Sequence, residues 1–253
     1  MSELFDIYRT FHEQGFVPIF VKDHFDTKLL VEACVRAGLK GIEITLRRDD
    51  ADTMIPWVRE NYPDLRILVG STIDDERIVE FTRRKFPQVR TLAELDAMGV
   101  GGFVSIMGMR EETIARYSPT RLVIPCAERV TQALEYVRAG AQMIKVLGPD
   151  VDHVRAFRST PTFGFCPVIV TGGMAIDRLP MYIEAGAVMV GAGFDGMLRG
   201  RPADITVDEV TEVLKTFIQA TREARERFWP EMSAAIGADR QTWLDSLPHY
   251  HPF

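Results

Sequence analysis

The sequence has few cysteines, the residues that form disulfide bonds and structural metal sites. Its three cysteines, Cys34, Cys126 and Cys166, are an odd number, lie far apart and form no Cys-x-x-Cys pair. This spacing indicates neither a disulfide framework nor a zinc site. It fits a reducing compartment, so we predict a cytoplasmic protein without a bound metal.

The sequence also lacks long apolar runs and an excess of positive charge. No apolar run approaches the length of a membrane span, and residues 1–6 lack the basic region and apolar core of a secretion signal. The net charge is −6, with acidic and basic residues interspersed. We therefore expect neither a nucleic-acid partner nor a membrane partner.

The histidines offer no ordered metal-ligand spacing either. His12 and His24 are isolated in the sequence, and His249 and His251 lie in the terminal segment 248–253. Because metal sites need more ligands at regular spacing, we predict that this segment is an exposed tail with no metal role.

What the sequence does contain is an alternation of short apolar runs with longer segments of mixed polarity. The predicted strands are 16–21, 41–46, 66–69, 103–106, 122–124, 143–146, 168–170 and 187–190. Consecutive parallel strands need helical crossovers of this kind, and 253 residues is a usual length for a (β/α)8 barrel. We predict an α/β fold, a (β/α)8 TIM barrel; a doubly wound open sheet is the alternative on pattern alone.

Helical patterns fill the gaps between the predicted strands and continue after the last one. They cover 27–38, 51–61, 74–86, 92–98, 130–138 and 176–185, followed by a long amphipathic helix at 207–228 and a short one at 240–247. We predict a barrel domain of residues 1–204 and a C-terminal helical extension of residues 205–253. The extension is expected to pack on the barrel or at an oligomer interface.

A single lysine, Lys145, interrupts the apolar run 141–149. An unpaired ammonium group inside a buried strand costs several kcal/mol or more. Burial lowers the pKa of such an amine and makes it a candidate nucleophile for Schiff-base chemistry with a carbonyl substrate. The alternative is that Lys145 lies just past the strand end and extends into solvent.

Polar residues alternate along the second predicted strand. Glu43, Thr45 and Arg47 occupy every second position, which places them on one face of the strand. Glu43 could accept and donate protons beside a Schiff-base lysine, and Arg47 could hold a carboxylate with two parallel hydrogen bonds. The alternative is a structural Glu43–Arg47 ion pair that fills the barrel.

Glycine-rich loops follow the last two predicted strands, at residues 171–173 and 191–193. Glycine lets backbone N–H groups approach an anion closely, and the loops after strands 7 and 8 are the usual phosphate site of a TIM barrel. Residues 70–72, after the third strand, form another small-residue loop that could hold a carboxylate or carbonyl group.

With these motifs, the chain resembles the 2-keto-3-deoxy-6-phosphogluconate (KDPG) and 4-hydroxy-2-oxoglutarate (KHG) aldolase family over roughly residues 17–194. The resemblance is carried by segments 41–47, 69–72, 139–145 and 171–173. It implies a homotrimeric (β/α)8 class I lyase that forms a covalent lysine imine and needs no cofactor.

The resemblance also implies roles for individual residues. Lys145 matches the Schiff-base lysine and Glu43 the general acid/base, while Arg47 and Thr72 match the residues that bind the pyruvyl carboxylate. The phosphate loops correspond to Thr171, Gly172, Gly173, Gly191 and the neighbouring Ala192.

The chain departs from the family pattern in several loops. The loop after the third strand is one residue shorter, segment 105–108 lacks the expected proline, and Gly193 stands where a serine is expected. After the fifth strand, Glu128 and Arg129 replace small hydroxylic residues. Arg129 could contact a phosphate or second carboxylate of the substrate, or both residues could point outward in the first turn of a helix from 128 to 138.

These observations predict the reaction. We expect an aldolase that cleaves a phosphorylated 2-keto-4-hydroxy acid, similar to KDPG, into pyruvate and an aldehyde, with the pyruvyl half of the site kept and the aldehyde half altered. The alternatives are a non-catalytic barrel that binds a sugar phosphate, and a barrel isomerase or decarboxylase that uses the same phosphate loops.

Overall fold

The computed structural model of the chain describes residues 3–148, 150–159 and 164–253. Pro149, the end of the apolar run around Lys145, lies outside the described residues, as do Met1 and Ser2 of the N-terminal segment.

The strands form one parallel eight-stranded sheet with the order β5-β4-β3-β2-β1-β8-β7-β6. They are β1 Phe16–Phe20, β2 Gly41–Thr45, β3 Arg66–Gly70, β4 Gly102–Ser105, β5 Leu122–Pro125, β6 Ile144–Leu147, β7 Val168–Thr171 and β8 Ala187–Gly193. At the seam between β5 and β6, Cys126 and Lys145 form a bridge, and the Ala127 N–H donates to the Lys145 carbonyl at 3.0 Å. The predicted (β/α)8 barrel is confirmed, and the open-sheet alternative is wrong.

Helices alternate with the strands and continue beyond β8. They are α1 Glu3–Gln14, α2 Thr27–Arg36, α3 Ala51–Asn61, α4 Glu76–Arg83, α5 Leu92–Ala97, α6 Glu111–Tyr117, α7 Val130–Arg138, α8 Val151–Ala156, α9 Leu179–Glu184, α10 Phe194–Met197, α11 Val207–Phe228, α12 Pro230–Ala234 and α13 Arg240–Asp245. In the described part of the chain none of them is long and apolar enough to cross a membrane.

Capping residues in the sequence determine where several helices begin. The Asp26 side chain accepts from the first N–H groups of α2, and Thr206 forms a capping box with Glu209 at the start of α11. Each such cap contributes about 1 kcal/mol. The sequence did not predict α1, α6, α8, α10 or α12; α6, for example, begins at Glu111, and the Arg110 side chain before it makes no capping hydrogen bond.

Helix α1 closes the amino-terminal end of the barrel. Its Phe5, Tyr8 and Phe11 are fully buried against a cluster that includes interior residues of the strands, such as Val17 of β1 and Leu68 of β3. Burial of each such aromatic side chain stabilises the fold by about 1.5–3 kcal/mol. The amino-terminal end of the barrel is therefore closed. An active site is expected at the opposite end, at the carboxyl-terminal ends of the strands, as in other TIM barrels.

The C-terminal segment is packed against the barrel, and the prediction of an exposed tail is wrong. The Phe253 ring lies 4.9 Å from that of Tyr8 and 5.4 Å from that of Phe5, and His249 is only 8% exposed. His249 Nε2 lies 2.8 Å from His12 Nε2. The segment is held against the barrel by the contacts of the Phe253 ring with Phe5 and Tyr8 of α1. Helix α11 meanwhile packs against α2 and α9.

Candidate active site

The candidate site is built around Lys145 of β6 and Glu43 of β2, which stand on opposite sides of the barrel because these strands are four positions apart in the closed order. The Lys145 Nζ atom lies 3.6 Å from Glu43 Oε1. Lys145 is 3% exposed and Glu43 1% exposed. Lys145 therefore does not extend into solvent, and the two side chains meet inside the barrel.

The second carboxylate oxygen of Glu43, Oε2, is buried and has no hydrogen-bond partner among the described residues. Leaving a buried acceptor unsatisfied costs about 1–3 kcal/mol. Such an atom is ready to receive a proton or to bind a donor that enters the barrel. One oxygen of the carboxylate, Oε1, thus contacts Lys145, and the other, Oε2, can still accept a hydrogen bond.

Two neighbours fix the geometry around Glu43. A Cβ atom added to Gly70 would lie 2.1 Å from Glu43 Oε1, so only glycine leaves room for the carboxylate there. Thr45, two residues after Glu43, is fully buried, and its hydroxyl donates to the Phe20 carbonyl at 2.9 Å. The interior position predicted for Glu43 and Thr45 agrees with this arrangement.

Cys126 lies beside Lys145 at the seam of the barrel. Burial raises the pKa of its thiol, although the charge of Lys145 and a hydrogen bond from the Leu147 backbone oppose this shift. The side chain therefore stays a neutral thiol near neutral pH and does not compete with Lys145 as a nucleophile.

Arg47 does not share the interior with Glu43, and the alternative of a Glu43–Arg47 ion pair is wrong, because Glu43 faces Lys145 instead. The Arg47 side chain is exposed and lines a cleft at the carboxyl-terminal ends of the strands. It leaves the interior because the chain has already turned: β2 ends at Thr45, and the Arg48 N–H donates to the Thr45 carbonyl.

The side chain of the next residue, Arg48, is buried, unlike that of Arg47. Its guanidinium donates to Asp50 at 2.9 Å, to Asp23 at 3.0 Å and to the Val21 carbonyl at 3.0 Å. Ion pairing and hydrogen bonds with these carboxylates raise its pKa, against the effect of burial. Arg48 thereby ties the loop after β1 to the loop after β2. Sequence reasoning missed it, although two aspartates directly after an arginine pair are a usable signal.

The loop after β3 holds Thr72 in a buried position. Its hydroxyl and its N–H both donate to the Val104 carbonyl, at 3.0 and 3.2 Å. Ser71 has a φ of +59°, a left-handed conformation that is uncommon outside glycine. The Ser71 Oγ atom is buried without a hydrogen-bond partner among the described residues. The strained loop thus leaves a free hydroxyl next to Gly70.

The glycine loops lie at the ends of β7 and β8, side by side. Thr171 is buried and pairs in register with Gly191, while Gly172 and Gly173 have φ values of +97° and +60°. Ala192 is also buried. These backbone conformations are accessible to glycine at little cost, and they place the two loops where an anion could approach N–H groups.

Arg129 stands at the rim. It is exposed and precedes α7, which begins at Val130 as the predicted helix 130–138 does, so residues 128 and 129 do not form the first turn of that helix. Glu128 is exposed as well, and its N–H donates to the Gln132 side chain. A contact of either side chain with a substrate stays a prediction.

The described residues contain no group of three or more His, Cys, Asp or Glu side chains that could hold a metal ion. The site is therefore characterised by an amine and a carboxylate inside the barrel, with cationic and glycine-rich loops around its mouth.

The sequence of the chain is similar to those of two known aldolases. No family model matches the chain. The chain is 25% identical over 202 residues to 2-dehydro-3-deoxy-6-phosphogalactonate aldolase of Escherichia coli K12, covering 77% of this chain and 87% of that protein. It is 26% identical over 188 residues to 2-dehydro-3-deoxy-phosphogluconate aldolase of Pseudomonas aeruginosa, covering 72% and 77%.

Solved structures show the same fold. The native KDPGal structure superposes with a TM-score of 0.65 at 23% identity, covering 83% of this chain and 96% of that one. The resemblance to KDPG-type aldolases that the sequence motifs indicated is confirmed.

Proposed function

We propose that this protein, a carbon–carbon lyase by its likeness to two curated aldolases, is a class I aldolase. It reversibly cleaves a phosphorylated 2-keto-4-hydroxy acid, similar to KDPG, to pyruvate and an aldehyde. The single observation that carries the mechanism is the meeting of Lys145 and Glu43 inside the barrel, with Nζ 3.6 Å from Oε1.

In the proposed mechanism, the amine of Lys145 attacks the C2 carbonyl carbon of the keto acid, and the carbonyl oxygen takes a proton. Loss of water from this carbinolamine gives the imine. Glu43 then removes the proton of the C4 hydroxyl as the C3–C4 bond breaks, and the electron pair of that bond is taken up by the imine. The aldehyde leaves, the enamine is protonated at C3, and water releases pyruvate.

The surroundings of this pair support substrate binding. Arg47, exposed at the mouth, offers a guanidinium for the pyruvyl carboxylate, and Thr72, buried in the loop after β3, is the second residue that would bind it. The N–H groups of 171–173 and of Gly191 and Ala192 would hold the phosphate. The covalent imine would require no further cofactor. A homotrimer and a cytoplasmic location stay predictions.

The Lys145–Glu43 contact also fits two rival functions. A buried Lys145–Glu43 ion pair could be purely structural in a barrel isomerase or decarboxylase that uses the phosphate loops, or in a non-catalytic barrel that binds a sugar phosphate. The rivals differ from the aldolase in a measurable way, because only the aldolase forms a covalent bond with a keto acid.

The test is borohydride reduction in the presence of pyruvate, followed by intact mass and peptide mapping. The expected result is one reduced pyruvyl adduct on Lys145. Lys145→Met should form no adduct and show no cleavage while keeping its thermal transition, since methionine has a similar volume. Lys22→Met, which removes an exposed lysine at the mouth, serves as the matched control and should still form the adduct. No adduct in the wild type at saturating pyruvate would leave the rivals.

A further inference from the structure

A cleft of about 400 Å³ lies at the carboxyl-terminal ends of β1 to β4, next to the proposed site. Its walls come from the loops after these strands and from α4 with the segment that follows it. The apolar residues that line it are Leu46, Ile73, Phe86, Val89, Ile106 and Met107.

Several of these side chains are exposed to an unusual degree. Met107 is 65% exposed, Phe86 42% and Ile106 37%. Large apolar side chains that remain exposed together beside a pocket mark binding surfaces more often than isolated ones do. The loop that carries Ile106 and Met107 is the one that departs from the family pattern by losing a proline.

The cleft also carries polar groups at one end. Arg47 and Lys22 line it, and Lys22 is paired with Asp49 at 3.0 Å, which leaves Arg47 as its available cation. Ser71 lines it too, and its Oγ atom is buried with no hydrogen-bond partner in the described part of the chain. An apolar space that also holds a guanidinium and the hydroxyls of Ser71 and Thr82 suits a carboxylate that bears a hydrocarbon chain.

The cleft and the reacting groups both border the loop after β3. Ser71 follows Gly70, and Gly70 is the residue against which the Glu43 carboxylate lies. A carboxylate held at Arg47 stands in the same cleft as the apolar wall, so the hydrocarbon chain that it bears would lie along that wall. Pyruvate is far too small to occupy this space, since its only hydrocarbon part is a methyl group.

We propose that this cleft binds the hydrocarbon chain of a 2-keto acid larger than pyruvate, so that the enzyme accepts keto acids extended at C3 as its nucleophile. The proposal rests on the proposed Schiff-base function. It specifies the substrate class of the same site: 2-keto-4-hydroxy acids with an alkyl substituent at C3. The keto carbon bonds to the Lys145 amine with loss of water, as for pyruvate, and the added methylene groups lie along Ile106 and Met107.

The experiment measures the concentration of keto acid that half-saturates borohydride trapping of Lys145, for pyruvate, 2-oxobutanoate, 2-oxopentanoate and 2-oxohexanoate. Each added methylene group should lower this concentration by about threefold to fourfold, the ratio that corresponds to about 0.8 kcal/mol. Met107→Ser should flatten this dependence on chain length and leave trapping with pyruvate unchanged. Ile78→Ser is the matched control, because Ile78 is an exposed apolar residue of α4 that does not line the cleft.

The outcomes separate this proposal from the function on which it rests. If no keto acid is trapped, the Schiff-base function itself fails. If pyruvate is trapped but affinity does not rise with chain length, or rises equally in Met107→Ser, the cleft does not bind the chain. A change of molar mass in Met107→Ser by light scattering, with unchanged chain-length dependence, would show that the cleft is covered by a second copy and would also overturn the proposal.

Discussion

Gly70 and Glu43 are in such close contact that a Cβ atom at position 70 would lie 2.1 Å from Glu43 Oε1. The two residues are on adjacent strands, with Gly70 opposite Thr45 in the register of β2 and β3. The missing side chain of Gly70 is thus what allows a carboxylate to stand inside the barrel at this level. The position of the Glu43 carboxylate therefore depends on a glycine at position 70.

We predict that Gly70→Ala displaces Glu43 and slows cleavage by about 10²-fold, the cost of a shift of about 1 Å in a catalytic group. Adduct formation on Lys145 with pyruvate should persist if Glu43 acts mainly in carbon–carbon bond cleavage. Steady-state cleavage and borohydride trapping measure the two effects separately.

Gly196→Ala is the control for this substitution, because an added Cβ at Gly196 meets nothing within 4 Å. It should leave the rate unchanged. Wild-type turnover in Gly70→Ala would show that Glu43 does not need its present position.

We predict that Glu43→Gln slows turnover by about 10² to 10⁴, the usual contribution of one general acid/base. Glutamine fills the same space but cannot take a proton at neutral pH. The values of kcat and KM should be measured together. If only KM rises, Glu43 binds substrate or supports the fold and does not transfer protons.

We predict that the free energy of unfolding decreases in mild acid because of the buried His12–His249 pair. His249 Nδ1 lies 2.9 Å from the Tyr250 carbonyl and must donate to it, so its Nε2 accepts from His12 Nε2 and both rings are neutral. Burial lowers the pKa of His249 to about 3, and burial together with His249 and Arg225 lowers the pKa of His12.

The sign of the effect follows from these pKa values. Both folded-state values lie below the ordinary 6.5, so the unfolded chain binds more protons in acid. The stabilisation is fully present above about pH 6.5 and is lost as the pH falls toward 3. Urea denaturation between about pH 7.5 and 5 should therefore show a falling midpoint.

His249→Gln should weaken that pH dependence, since glutamine keeps a hydrogen-bonding group without titrating in this range and leaves only His12 of the pair. His24→Gln, at an exposed histidine, is the control and should keep the wild-type slope. A slope that is equal in His249→Gln and wild type would contradict the assignment.

We predict that Arg129 sets the preference for the aldehyde and leaves pyruvate recognition unchanged, because it is exposed whereas the Lys145–Glu43 pair is buried. A panel of aldehyde acceptors in the condensation direction, measured for wild type and Arg129→Ser, tests this. The variant should lose its preference for acceptors with a phosphate or second carboxylate. The same profile in both proteins would show that this loop does not choose the substrate.

Much of the fold follows from the sequence because its signals are local. The bounds of α3, α7 and α11 agree with the predicted 51–61, 130–138 and 207–228, since apolar periodicity and the residues that begin and end a helix lie within the helix itself. The motifs at Glu43 and Lys145 likewise predicted that a carboxylate and an amine lie on buried strands, and both side chains are buried.

Only the tertiary structure decided which charges meet. Glu43 and Lys145 come together because the sheet closes with β2 opposite β6. Arg47 turns outward while Arg48 is buried because Asp23 and Asp50 converge on the second arginine. His12 and His249, 237 residues apart, are paired because the chain end covers α1. These contacts join residues far apart in the chain, and sequence periodicity carries no information about such pairs; only packing of the complete barrel fixes them.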